Sequence, residues 1–281
     1  MSKVTVIGID PASSQEPSKF TYCYDGNEFH RVKAKKLQKW VSEWSKSNYV
    51  LVCWDSPLLE YRKADRINKL TFTKREIEKF LSGNNRQRGG SIPVVDEKHR
   101  VNTPKGINTQ GFAQVQHWGI SQRIIGYPDM GGEFYETAKR PFNLVHQQDD
   151  KPVKPGQYLV EVHPAIALWW WLRMDPTTDL KDLPGFNYKS KGGKCANEYY
   201  RRLLPKLKKL SKGKDVKFPK VELILSDGHL DAFIAYFLGI LWLNDGKAIL
   251  IGNRLSGSIL LPTELNKHWE NFSTPKKESK K

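Results

Sequence analysis

Three apolar runs in this chain end in an acid with a proline close behind. They are "VTVIGIDPA" with Asp10, "VLVCWDSP" with Asp55 and "YLVEVHPA" with Glu161. In open α/β sheets, ligands bind outside the carboxyl ends of the strands, so acids at strand ends are placed for chemistry. A fourth carboxylate comes from "SDGHLDAFIAYFLG", where Asp227 and Asp231 are four residues apart and share one face of a helix. That helix is otherwise apolar, and an acid facing the sheet from it is costly unless paired or bound to a metal.

Carboxylates gathered without a cationic partner repel one another and raise one another's pKa until a divalent ion neutralises them. Oxygen-only ligation selects Mg2+ or Mn2+ over zinc. Two such ions about 3.5–4 Å apart are the usual device for in-line attack on a phosphodiester, one activating water and the other stabilising the leaving oxygen. The expected ligands are Asp10, Asp55, Glu161 and Asp231, with Asp10 bridging the two ions. Asp227 is either a further ligand or only a helix cap. His163 and His229 each stand two residues from one of these acids. Either could pass a proton to a leaving group, or hold a neighbouring carboxylate through a hydrogen bond.

The elements needed to position these acids follow from hydrophobic patterning. Residues 3–9 are a β-branched, nearly all apolar run, and 48–57 a second such run ending in an acid and a proline, as expected of strands buried on both faces. Residues 20–32 are two short runs around Asp25-Gly26, a strong hairpin signal. Helical spacing returns at 34–47, 62–81 and 112–127, after Pro164, at about 195–211 and from Ser226 to about Leu243. Residues 247–262 read as a terminal hairpin. The prediction is an α/β fold, a mixed five-stranded sheet flanked by helices. It forms one domain over 1–270, with a helical and loop insertion at about 83–156 and a disordered basic tail over 271–281.

The charge is lopsided, 46 Lys and Arg against 30 Asp and Glu, or +16. An excess of that size points to a polyanion, nucleic acid before an anionic membrane. It is concentrated in 186–220, with twelve basic residues and two acids. Lys189, Lys191 and Lys194 approach a helix that carries Arg201, and could hold a phosphate backbone. Arg86 and Arg88 lie in a second basic stretch beside Gly89-Gly90. Such contacts give affinity without reading sequence. The run Trp169–Trp171 could stack bases, although its place on a helix covering the sheet favours the core. Cys23, Cys53 and Cys195 are too scattered for a disulfide framework or a Cys-ligated zinc site. The longest apolar stretch, 232–243, is about half of what crosses a bilayer. A cytoplasmic protein without a membrane partner is expected; a protein partner or homo-oligomer is left open.

The ordered set "IDPA", "WDSPL" with "RKADR", "VEVHPA", "KSKGGKCANEYYRRLL" and "SDGHLDAFIAYFLG" resembles the domain-of-unknown-function-429 family of predicted RNase H-like nucleases. "IGIDPASS" alone is similar to the first acidic motif of Holliday-junction resolvases. The resemblance spans residues 7–239. It implies an RNase H-like fold and carries metal-binding and catalytic roles to Asp10, Asp55, Glu161 and Asp231. It implies a metal-dependent nuclease acting on DNA or RNA. The competing reading is a nucleic-acid-binding module that keeps the fold without catalysis. An actin-like nucleotide hydrolase needs a glycine-rich phosphate loop after its first strand, and "DPASSQEP" lacks one.

Overall fold

The computed structural model describes residues 4–11, 20–44, 46–47, 49–56, 58, 76–82, 142–148, 151–152, 154–173, 188, 195–244, 246–253 and 257–273. The main sheet is built from β1 (Thr5–Asp10), β2 (Phe20–Tyr24), β3 (Phe29–Lys33), β4 (Tyr49–Trp54), β5 (Asn143–Val145) and β6 (Gly156–Glu161). Their spatial order is β3-β2-β1-β4-β6-β5. The β2–β3 hairpin adds antiparallel to β1, and β4, β6 and β5 continue parallel. The sheet thus has six strands where five were expected. The extra strand is three residues long and lies inside the long, turn-rich connection, with too short an apolar run to announce itself. It is held by pairing Leu144 with Leu159.

Helices cover both faces. On one face α1 (Ala34–Trp44) sets Leu37 and Val41 against Ile7, Ile9, Val50, Val52 and Leu159. On the other lie α3 (Pro164–Arg173), α4 (Ala196–Leu210) and α5 (Asp227–Asn244); α2 (Glu76–Ser82) joins the same core. The strands alternate between two buried layers, which is why β1 and β4 read as continuous apolar runs. Trp169, Trp170 and Trp171 are all buried, which gives them to the core and leaves no face for stacking a base.

Helix α5 is apolar all round and buried from Gly228 to Trp242, the character of a central helix. It lies unusually close to β1. A side chain at Gly8 would collide with the Ala232 carbonyl oxygen and the Tyr236 amide, and one at Gly239 with Cys53 and Val6. Glycine on both surfaces allows the helix backbone to settle on the strand.

The terminal hairpin, β7 (Ala248–Asn253) and β8 (Gly257–Pro262), forms a separate two-stranded sheet. A bridge from Val162 to Leu260 ties it to the main sheet just beyond β6. A last helix, α6 (Asn266–Ser273), ends inside the stretch read as a tail. Among the described residues, no helix is long and apolar enough to cross a membrane.

Candidate metal centre

Parallel pairing of β1 with β4 brings two strand ends side by side. Asp10 closes β1, and Asp55 follows Trp54, the last residue of β4. The Asp55 amide donates to the Ile9 carbonyl at 2.9 Å, extending the ladder by one rung and fixing Asp55 beside Asp10. From across the sheet, α5 contributes Asp231, fully buried one turn into the helix. Its capping residue is Ser226, whose Oγ accepts the His229 amide at 3.4 Å.

These elements bring Asp10, Asp55 and Asp231 together, with one carboxylate oxygen of each within 4.8 Å of the others. Two unit charges about 5 Å apart repel by about 3 kcal/mol at the effective dielectric of a protein. Three such pairs approach the stability of a whole domain, so this group needs positive charge or protons. Its donors are all carboxylate oxygens, the set that suits Mg2+ or Mn2+. One oxygen of Asp231 is already oriented, because the buried Tyr188 hydroxyl donates to its Oδ1 at 2.7 Å. Nothing in "FNYKSKGG" marks Tyr188 in advance.

Glu161 is buried at the end of β6, beside Trp54, and lies outside the trio. Its Oε2 accepts the Leu58 amide at 2.9 Å. The Val162 amide donates to the Trp54 carbonyl at 3.0 Å. Glu161 therefore fastens the turn after Asp55, which positions that acid from behind. Asp227 is half-buried at the first position of α5 and also lies outside the trio.

His229 is buried against the rings of Tyr22, at 4.6 Å, and Phe29, at 5.0 Å, with Nδ1 2.8 Å from Ser226 Oγ. Burial, with the Arg31 charge adding to it, pushes its pKa down to about 4, so the ring is neutral near pH 7. His163 is half-buried, and its carbonyl accepts the Ile166 and Ala167 amides at the start of α3. Arg201 is exposed on α4. Lys189, Lys191, Lys194, Arg86 and Arg88 lie outside the described residues.

Compared with family models, curated proteins and solved structures, the chain finds no match in any of the three.

Proposed function

We propose that this protein is a divalent-metal-dependent nuclease of RNase H-like architecture, cutting phosphodiester bonds of DNA or RNA at the Asp10–Asp55–Asp231 cluster. The observation that carries the reading is the convergence of three carboxylates from β1, β4 and α5 at the carboxyl edge of the sheet. The antiparallel β3-β2-β1 unit followed by parallel β4 and β6 supports the architecture, with β5 as an added edge strand.

Asp10, Asp55 and Asp231 would hold Mg2+ or Mn2+. When bound, such an ion lowers the pKa of water and offsets charge gathering on the phosphate oxygens. The remaining work belongs to the chain. Tyr188 fixes the rotamer of Asp231, and Glu161 holds the backbone that follows Asp55. His229, kept neutral by burial, supports the Tyr22 ring next to Asp10 on the sheet. The basic excess supplies attraction for a polyanion.

The test is cleavage of single-stranded, duplex and branched DNA, single-stranded RNA and an RNA–DNA hybrid with Mg2+ or Mn2+, using wild type, Asp10→Asn and Asp231→Asn. Cleavage by wild type that both variants lose while still binding the substrate is the expected result. Binding without cleavage on every substrate would replace this reading with that of a non-catalytic binding module.

A further inference from the structure

The edge of the sheet away from β5 carries a groove of about 800 Å³ between β3 and α1. Arg31 and Lys33 line it from β3, Lys36 and Lys39 from α1, and all four are exposed. Between them lie the half-buried rings of Phe20 and Trp40. Glu43 is the acid among the lining residues. The Arg31 guanidinium rests over the Phe20 ring, 4.3 Å from its centre. Among the described residues, no carboxylate pairs with Arg31, Lys33 or Lys36. Cations beside aromatic faces are what a single nucleic-acid strand meets on its binding proteins, where phosphates take the charges and unstacked bases take the rings. A duplex keeps its bases stacked and cannot use the rings.

Arg31 lines the groove from the face of the edge strand β3 opposite α1, the face on which the acids lie. Arg31 pairs with Tyr22 across β3 and β2, and Tyr22 pairs with Asp10 across β2 and β1. Residues opposite one another in neighbouring strands share a face, so these three form one row on the α5 side. Two strand spacings separate the ends of that row, about 10 Å. The Arg31 guanidinium lies 5.8 Å from the Tyr22 ring, which continues the row in side chains.

We propose that the β3–α1 groove is the docking track for a single strand of nucleic acid, DNA or RNA, which reaches the carboxylate cluster along the Arg31–Tyr22–Asp10 row. The direction of the strand rests on the nuclease reading; its binding in the groove does not.

Binding is therefore measured in EDTA, by fluorescence anisotropy of labelled oligothymidylate and oligouridylate of about twelve nucleotides and of a duplex of the same length. The wild-type protein should prefer one or both single strands by at least about tenfold, and the preferred arm tells DNA from RNA. The double variant Lys33→Glu/Lys36→Glu should weaken that binding about tenfold or more. It should also flatten the salt dependence by about 1.4 in log–log slope, two phosphate contacts of about 0.7 each. Lys33→Arg/Lys36→Arg should restore both, and Lys208→Glu/Lys209→Glu on α4 should leave the single-strand preference in place. Equal affinity for the duplex, no binding to either single strand, or loss through the α4 pair instead of the groove pair would overturn the proposal. Groove-dependent binding by a protein that never cleaves with Mg2+ or Mn2+ supports the track and removes the nuclease reading. Cleavage with binding indifferent to the groove variants does the reverse.

Discussion

Among the described residues, two groups of side chains have the spacing of a metal site, and they differ in chemistry and in how they are assembled. Asp25, Glu28 and His30 lie on the β2–β3 hairpin, and Asp10, Asp55 and Asp231 lie at the carboxyl edge of the sheet. On the hairpin, Asp25 Oδ1 accepts the amides of Asn27 and Glu28 at 2.8 and 3.0 Å, and Oδ2 lies 2.8 Å from His30 Nε2. That carboxylate is the turn. An ion bound there would compete with the bonds that fold the hairpin, around Gly26 at φ 93°. The edge group is made of carboxylates alone, delivered by three elements distant in sequence, and its charges are not balanced within the trio. Spacing is the same signal in both; the difference is that one group is a local turn and the other is three like charges assembled from distant segments.

The largest expected effect separates the two directly. Asp10→Asn or Asp231→Asn should lower cleavage by at least about a hundredfold, beyond what outer-shell changes cost at metal sites, whereas Asp25→Asn should leave the rate within about twofold. Single-turnover kinetics on the preferred substrate reads this.

Gly8→Ala should come next. The added methyl meets helix backbone, which cannot move aside as a side chain would, so α5 must lift from β1. A loss of about 3 kcal/mol or more in a urea titration is expected, with weaker metal response because Asp231 moves with the helix. The hairpin group should not notice.

Mn2+ at about a hundred times its Kd should stabilise the wild type by about 2.7 kcal/mol. In thermal melts that gain should vanish in Asp10→Asn and survive in Asp25→Asn. An equal gain in Asp10→Asn would move the ion to another site.

Acid should weaken the fold in two steps. The His229 pKa is lowered in the fold, so its contribution is complete above about pH 6.5 and drains as pH falls toward about 4. Burial alone would raise Asp25, but hydrogen bonds from His30, Glu28 and Asn27 and the His30 charge outweigh it and hold it below the usual range. Its contribution is therefore intact above about pH 4 and is lost below that. Urea midpoints across pH should show the first loss absent in His229→Phe and the second absent in Asp25→Asn.

Some of this was legible in the chain because the cause was local. Apolar runs ending in Asp10 and Asp55 announce buried parallel strands and what stands at their ends. An acid on an all-apolar helix announces Asp231. Glu161 carries the same local signal, yet its carboxylate turns to an amide 103 residues away, which no pattern encodes. Asp227 and Asp231 share a helix face in projection, but only one lies deep enough to meet the strands. The lysines of 186–220 are dense along the chain, while the β3–α1 groove divides its cations between a strand and a helix. Two on alternate strand positions and two a helical turn apart become one surface only after the hairpin folds.

The close seat of α5 on β1 has a consequence for the order in which the protein is made. The chain leaves the ribosome from its amino end, so β1 and β4 emerge before α5, which follows β1 by some two hundred residues. Until that helix docks, Gly8 faces an empty surface and Asp10 and Asp55 lack their third member. A nascent chain of this design carries no assembled carboxylate trio until α5 has been made. The contacts of α5 with β1 join segments some two hundred residues apart, so closure should be among the slower steps of folding. Any chemistry of the trio would then wait until α5 settles on β1.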